Sequence, residues 1–176
     1  MRADEYNSDK TNHGVKKMKK HLFLTGPSGI GKTTIIRQAL GTAAGVAEWF
    51  KNPQAQASAH YVVDEGETIY RCVKETDTAW HCGDGQKHPV CRNWNSIGIE
   101  IRPRKLNPKR IAACDADWFF DKRALDNAEW LIRRLMKQYK IPASNILRHY
   151  DVSGKLCPRP FVGDDTNSYY HPSAPK

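Results

Sequence analysis

The stretch HLFLTGPSGIGKTTII, residues 21–36, constrains the fold of this 176-residue chain more than any other. Its apolar start predicts a strand, its glycine-rich middle predicts a loop, and its end predicts the first turn of a helix. At ~100–200 residues per domain, the chain can form one well-buried core but not two complete enzymes. Either this stretch determines the function of the whole chain, or it is one segment within another kind of domain.

The loop satisfies the spacing GxxxxGK[ST], with Gly26, Gly31, Lys32 and Thr33 as candidate nucleotide-binding residues. Glycines let backbone N–H groups turn toward phosphates, the lysine reaches the β and γ phosphates, and the threonine ligates magnesium. Residues 20–40 resemble the start of the cancer-related nucleoside-triphosphatase family, and residues 20–41 are taken as one P-loop-like segment. No second-strand arginine, lid or base-binding segment follows, so a P-loop nucleoside triphosphatase with ATP/Mg²⁺ is kept as an alternative.

The charge balance favours anionic partners. The chain has 28 basic and 19 acidic side chains, and part of the excess lies in KKMKK, residues 16–20. Nucleic acid, anionic lipid and the teichoic-acid-bearing bacterial cell wall would all fit such a surface, but no motif specific for nucleic acid accompanies it. A solvated arm explains the run equally well, and residues 1–19 are predicted to form a polar, basic N-terminal arm.

The cysteines and the first residues predict where the chain is made. Five cysteines are an odd number without a CxxC pair, and the sequence begins without an apolar signal-peptide core, which predicts synthesis in a reducing cytoplasm. No segment approaches the ~20 apolar residues of a membrane span. We expect a monomer that reaches any site outside the cell only after release.

The middle of the chain mixes short helices and strands. Residues 42–50 place apolar side chains at helical spacing, and residues 58–73 alternate as two β runs around a turn at Asp64. Residues 81–95 are too rich in Gly, Asn and Pro to be regular, whereas the next stretch, SIGIEI, predicts a buried strand over residues 96–101.

The strongest helical pattern begins after Asp121 and ends before Pro142. Residues 145–161 predict a short strand followed by a loop, and the tail, residues 164–176, has no regular pattern. Strands mixed with a few helices favour a single α/β domain. The apolar positions of the helix lie three or four apart, at Leu125, Ala128, Leu131, Ile132, Leu135, Met136 and Tyr139.

A second group of chemically active residues lies in HYDVSGKLCP. His149 and Cys157 are eight residues apart, and Lys155 comes two residues before the cysteine. Imidazole and thiolate are preferred zinc ligands, and a loop of this length can bring both to one ion with the ammonium beside it. Isolated His and Cys residues are more often structural.

From residue 42 to about residue 161 the chain resembles the zinc-dependent N-acetylmuramoyl-L-alanine amidases of type 2, the phage-lysozyme-type endolysins related to peptidoglycan-recognition proteins. The resemblance implies one α/β domain over residues 42–163, with a central mixed β-sheet flanked by helices and its first strand replaced by the P-loop-like strand, loop and helix. The matching stretches are TAAGVAEWF, QASAHYVVDEGETIYRCV, DTAWHCGD, HPVCRNWNSIGIEI and LRHYDVSGKLCPRPF.

The resemblance implies roles for five residues. His149 and Cys157 match two zinc ligands, Lys155 matches the lysine that stabilises the oxyanion, Glu100 matches a proton-shuttling carboxylate, and His81 matches a position lining the substrate groove. Such a zinc ion lowers the pKa of its bound water toward ~7 and polarises the scissile carbonyl. The implied reaction is hydrolysis of the amide between N-acetylmuramic acid and L-alanine in bacterial peptidoglycan.

Three other residues have less specific roles. Trp80 and Trp94 could offer flat apolar faces to sugar or stem peptide, although core packing is the commoner role for either. Trp80 is taken as the second substrate-binding candidate. His60 alternates away from its neighbours on a strand and is predicted to be a packed histidine.

The chain departs from the family pattern at the end of the first strand, where these amidases carry a third zinc-binding histidine. Thr25 stands at that place, and His21 is four residues of extended chain away, or ~13 Å. Two protein ligands should hold zinc weakly, because catalytic sites normally supply three. Amidase activity is therefore expected to be impaired, and a catalytically inactive cell-wall-binding module is the other alternative.

Overall fold

The computed structural model describes residues 18–25, 41–83, 87–107, 109, 115 and 117–162. Its strands are β1 (His21–Thr25), β2 (Tyr61–Val63), β3 (Tyr70–Arg71), β4 (Ser96–Ile101), β5 (Arg104–Lys105), β6 (Trp118–Phe119) and β7 (Ile146–Arg148). Its α-helices are α1 (Ala43–Trp49), α2 (Lys122–Tyr139) and α3 (His149–Ser153). Short 3₁₀ helices span Pro53–Ala55, Asn93–Asn95, Ala143–Asn145 and Arg159–Phe161.

The strands form a five-stranded sheet in the order β3-β2-β4-β1-β7 and a two-stranded ribbon of β5 and β6. In the larger sheet only β3 is antiparallel to its neighbour, and all the other pairs are parallel. The predicted α/β fold with a mixed central sheet is confirmed.

Strand β1 lies inside the sheet, between β4 and β7, and all five of its residues are buried. Because parallel strands covered on both faces need apolar side chains, its apolar run LFL suits this place. The pairing sets Thr25 opposite Glu100 and Leu24 opposite Arg148. The strand predicted before the glycine-rich loop is present, whereas residues 26–40, with the loop and the predicted helix start, lie outside the described residues.

The predicted hairpin is formed by β2 and β3, and Asp64 in its turn connects it to α1. One carboxylate oxygen of Asp64 accepts the Gly66 N–H at 2.9 Å and the other accepts the Ala43 N–H at 2.6 Å. Asn127 on α2 donates to the backbone carbonyls of Asp64 and Gly66. The turn therefore fixes both helices relative to the sheet.

Helix α2 begins and ends as its sequence predicts. The Asp121 side chain accepts the Arg123 N–H at 2.9 Å, which satisfies one of the free donors of the first turn. Lys140 closes the helix in the left-handed conformation, before Pro142. The buried face of α2 packs against β1 and β4, and its buried residues are Ala124, Ala128, Leu131 and Leu135.

Three features differ from the sequence predictions. The stretch after β7 was predicted as a loop but forms α3, which the Asp151 carboxylate stabilises by accepting the Arg148 N–H. The ribbon of β5 and β6 was not predicted, because two-residue strands give too little alternation to detect. Lys19, predicted in a polar arm, is buried, and its ammonium donates to the Asp77 carbonyl at 2.8 Å.

The rest of the predicted arm, residues 1–17, and the predicted irregular tail lie outside the described residues. The boundaries between the four predicted segments therefore remain predictions. Among the helices that the structure describes, none is long and apolar enough to cross a membrane.

Candidate functional site

Three polar side chains meet at the carboxyl ends of the parallel strands β1 and β4. Thr25 and Glu100 are paired across these strands, and the Thr25 hydroxyl lies 3.3 Å from the Cys157 sulfur. All three residues are buried. Since a hydroxyl carries one proton, Thr25 can donate to the Glu100 carboxylate while it accepts from the Cys157 thiol.

Glu100 is set up to carry a proton near neutral pH. Burial raises its pKa to about 8, because a carboxylate loses its hydration in the interior, and the hydrogen bond from Thr25 opposes this rise only in part. A carboxyl group with such a pKa is mostly protonated at neutral pH and can donate its proton. Its conjugate base is accessible a short distance above neutrality, as acid–base catalysis requires.

His149 joins this group because it follows β7, the neighbour of β1 in the sheet. The Tyr150 N–H donates to the Cys157 carbonyl at 2.9 Å, which brings the chain back toward the start of α3. Both ring nitrogens of His149 are buried and lack a hydrogen-bond partner. Burial and then the charge of Lys155 lower its pKa to about 4, so the imidazole is neutral at neutral pH.

Lys155 is exposed, at the turn that follows α3. Its influence on the pKa of His149 shows that the ammonium acts on the same group of residues.

These residues match the zinc site implied by the resemblance only in part. Neutral imidazole and thiol are suitable donors, and a buried imidazole with two unpaired nitrogens is what an absent metal would leave. However, the described residues contain no group of three His, Cys, Asp or Glu side chains that could hold a metal ion. Thr25 stands at the third position, so the described set is one protein donor short of a catalytic zinc site.

His21 does not lie where a third ligand is needed. It pairs with Ser96 at the start of β1, whereas Thr25 is at the end of that strand. Its ring contacts the His88 ring in an edge-on arrangement, with 5.6 Å between the centroids. The expectation that His21 is too distant to replace the missing ligand agrees with this geometry.

The two substrate-binding candidates, Trp80 and His81, differ in exposure: Trp80 is exposed and His81 is buried. Trp80 is 63% exposed, and Trp94 is 45% exposed, so the expectation that tryptophans here pack in the core is wrong for both. His81 lies in a loop and is buried against β4: its Nε2 is 2.8 Å from the Ser96 hydroxyl, and its ring covers Gly98. A groove-lining role for His81 remains a prediction, and its present contacts are those of a packed side chain.

His60 is packed as predicted. Its Nδ1 accepts the Gly98 N–H at 3.0 Å, and its Nε2 faces the Asp77 carbonyl at 3.3 Å.

The candidate nucleotide-binding residues lie outside the described residues; they are Gly26, Gly31, Lys32 and Thr33. Nucleotide binding therefore remains a prediction.

Comparison with known proteins identifies similar chains. The sequence profile of one family, described as N-acetylmuramoyl-L-alanine amidase, matches residues 31–160. Among curated proteins, CwlH of Bacillus subtilis (strain 168) is 40% identical over 124 residues, which are 70% of this chain and 43% of CwlH. XlyA of the same organism is 40% identical over 118 residues, which are 66% of this chain and 34% of XlyA. The chain therefore matches less than half the length of either relative.

Solved structures agree with this result. The catalytic domain of XlyA superimposes with a TM-score of 0.59 at 30% identity, covering 85% of this chain and 82% of that domain. The PlyG catalytic domain superimposes with a TM-score of 0.61 over 92% of this chain and 89% of that domain, and at 22% identity it supports the fold alone.

Proposed function

The chain belongs to the N-acetylmuramoyl-L-alanine amidase family, and on that premise we propose that it hydrolyses the amide between N-acetylmuramic acid and L-alanine in bacterial peptidoglycan. One observation carries the proposal: Thr25 is paired with Glu100 and contacts Cys157, and the Tyr150 N–H that follows His149 donates to the Cys157 carbonyl. The proposed place of action is the cell wall, which the chain would reach after its release as an endolysin does.

In this proposal Glu100 is the proton carrier. Water adds to the scissile carbonyl carbon and gives up a proton, and the departing amine of L-alanine must gain one before the C–N bond breaks. A buried carboxyl with a pKa of about 8 can perform both transfers near neutral pH. The hydrogen bond with Thr25 restrains the carboxyl group.

Lys155 is the proposed oxyanion partner. Addition of water to an amide places negative charge on the former carbonyl oxygen, and a cation near that oxygen stabilises the transition state more than the ground state. Lys155 is exposed and its charge already acts on His149, which suits a group that meets an incoming ligand. Trp80 is proposed to contact the glycan or the stem peptide with its exposed ring.

His149 and Cys157 are the proposed zinc-binding residues. Bound zinc would polarise the carbonyl and lower the pKa of a water molecule. Because the described donor set is one short, we expect low zinc occupancy and slow turnover.

The same shortage favours a second candidate function, wall binding without hydrolysis. A site that holds no metal could still recognise the wall through exposed groups such as Trp80, without using Glu100 or Lys155. The two candidates differ in whether bonds in the wall are broken.

Purified bacterial cell walls test both candidates. Amidase activity would release new L-alanine amino termini without new reducing sugar ends, and Glu100→Gln should slow the release by roughly ten- to a thousandfold. Unchanged walls at high protein concentration, in the presence of added zinc, would contradict the amidase proposal. Wall pull-down that survives Glu100→Ala and Lys155→Ala would then support the binding function.

The nucleoside-triphosphatase alternative is tested by an ATP titration. The amidase proposal gives Lys32 no role, so it expects no specific affinity. Micromolar ATP binding that is lost in Lys32→Ala would favour the nucleoside-triphosphatase alternative over the amidase proposal.

A further inference from the structure

Cys82 and Cys91 form a buried pair of thiols outside the proposed catalytic residues. Their sulfurs lie 4.0 Å apart, and both side chains are fully buried. They pack with Phe23 of β1 and Val152 of α3 in a small apolar cluster. At this distance the two sulfurs are in van der Waals contact, and either thiol can donate a weak hydrogen bond to the other.

The backbone on both sides of the pair is held by side-chain hydrogen bonds. The side-chain Oδ1 of Asn93 accepts the Cys82 N–H at 2.7 Å and the His81 N–H at 3.0 Å. The His88 Nδ1 accepts the Cys91 N–H at 2.9 Å. These bonds keep the two cysteines facing each other, although nine residues separate them along the chain.

We propose that Cys82 and Cys91 are an oxidative modification site that low-molecular-weight disulfides, such as glutathione disulfide, convert into an intramolecular disulfide. A disulfide bond is ~2.05 Å long, so the sulfurs must approach each other by about 2 Å. Rotation of the two side chains about χ1 moves sulfur by distances of this order and leaves the backbone frame in place.

The reaction balances as two thiol–disulfide exchanges. The Cys91 thiolate attacks one sulfur of glutathione disulfide, which forms a mixed disulfide and releases one glutathione. The Cys82 sulfur then attacks the Cys91 sulfur and releases the second glutathione. Two electrons pass from the protein to the glutathione disulfide, and the two protons leave with the two glutathione molecules. The hydrogen bond from Cys82 lowers the pKa of Cys91, which makes Cys91 the first nucleophile.

The crosslink would act on described residues that contact α3. Gly83, next to Cys82, lies so close to His149 that a Cβ added there would be 3.8 Å from Nε2. The Lys87 and His88 N–H groups donate to the Val152 carbonyl at 3.0 and 3.3 Å. Closing the loop at Cys82 and Cys91 therefore fixes the backbone beside His149.

The place where we expect the crosslink to form rests on the proposed function. A wall hydrolase works outside the reducing cytoplasm, where disulfides persist. The crosslink would then form in the working environment and stabilise the loop there, whereas the thiols would stay reduced before release. Formation of the crosslink itself does not depend on hydrolytic activity.

The test uses the full chain, folded, with a chelator present so that thiols are not held by metal. After incubation with glutathione disulfide, free thiols are counted in denaturant, and two fewer thiols per chain are expected. Trypsin cuts after Lys74, Lys87 and Arg92, so the two cysteines fall in the separate peptides 75–87 and 88–92. Mass spectrometry should find these peptides joined, with the loss of two hydrogen atoms.

Matched variants define the pair. Cys82→Ser and Cys91→Ser should each prevent the crosslink, whereas Cys72→Ser, at a half-buried cysteine outside the pair, should leave it unchanged. The melting temperature of the oxidised chain should exceed that of the reduced chain by roughly 3–10 °C, because the crosslink restricts the unfolded loop. Five titratable thiols after prolonged incubation, a crosslink between other cysteines, or glutathione retained on Cys82 or Cys91 would overturn the proposal.

Discussion

Thr25 and Glu100 face each other across the parallel strands β1 and β4, and their side chains are hydrogen-bonded. The same Thr25 hydroxyl reaches the Cys157 sulfur at 3.3 Å. One side chain therefore connects the proposed proton carrier with a proposed metal ligand. By the family resemblance, it occupies the position where a third metal ligand is expected.

The first prediction concerns metal content. The unmodified chain should retain well under one zinc per molecule after mild chelation, because two protein donors bind zinc weakly. Thr25→His places an imidazole beside Cys157 and should raise zinc retention at least tenfold and increase wall hydrolysis. Elemental analysis after dialysis measures the change.

Thr25→Asn is the control for the metal prediction, since it changes the size of the side chain without supplying a strong zinc ligand. It should not raise zinc retention. Stoichiometric, chelator-resistant zinc in the unmodified chain would show that another side chain completes the site.

The sequence predicted the elements of this site better than their arrangement. Strand β4 and the helix after Asp121 were identified because their patterns are local: a continuous apolar run and a repeat of three or four residues. The contact between Thr25 and Glu100 depends on the register between strands that are distant in sequence, which no local pattern encodes. Helix α3 was missed because five residues are too few to show helical periodicity.

Burial of charged and polar residues was equally hard to predict. Lys19 belongs to a basic run that is predicted to be solvent-exposed, but it is buried and its ammonium donates to the Asp77 carbonyl. Trp80 and Trp94 show the opposite error, because large aromatic side chains are usually packed and both are exposed here. The Asp77 carbonyl that Lys19 contacts lies in a loop, and the sequence pattern does not predict the path of that loop.

The second prediction tests Glu100. Glu100→Gln keeps the shape of the side chain but removes the titrating proton, so wall hydrolysis should fall by roughly ten- to a thousandfold. Release of L-alanine amino termini measures the rate. Glu48→Gln, on the exposed side of α1, should leave the rate unchanged. A large fall in melting temperature in Glu100→Gln would instead indicate a structural role.

The third prediction tests Lys155. Lys155→Ala should slow hydrolysis by roughly ten- to a thousandfold through loss of the charge that stabilises the oxyanion. Because the residue is exposed, the melting temperature should change little. Lys122→Ala removes an exposed lysine at the start of α2, outside the proposed site, and should have no effect on the rate of hydrolysis. Equal losses in both variants would assign the effect to overall charge.

The fourth prediction tests the packing of His81 on β4. A Cβ added at Gly98 would lie 2.6 Å from the His81 ring, so Gly98→Ala must displace the ring and break its bond to Ser96. The free energy of unfolding should fall by about 1–3 kcal/mol in urea titrations. Gly45→Ala is the matched control: its Cβ meets nothing closer than 3.8 Å, and alanine inside a helix should be neutral or stabilising.

The fifth prediction concerns acid stability and His60. Burial and the nearby charge of Lys19 lower the pKa of His60 to about 3, although the Asp77 carbonyl opposes the shift. The ring of His81, whose own pKa is lowered, faces it at 5.4 Å and adds no negative charge. The neutral form is therefore the native one. Its contribution to stability is complete above the unfolded pKa of about 6.5 and is lost as the pH falls toward 3.

For one such histidine the loss between pH 7 and pH 4.5 should be about 2–3 kcal/mol. His60→Gln removes this titration, so it should lower stability at neutral pH, where the Gly98 bond is lost, but flatten the decline in acid. Urea unfolding at pH 7 and pH 4.5 measures how far the free energy of unfolding falls in each protein. The contributions of carboxylates common to both proteins cancel when the two falls are compared. If the variant declines as steeply as the unmodified chain, His60 does not take up the proton that destabilises the fold.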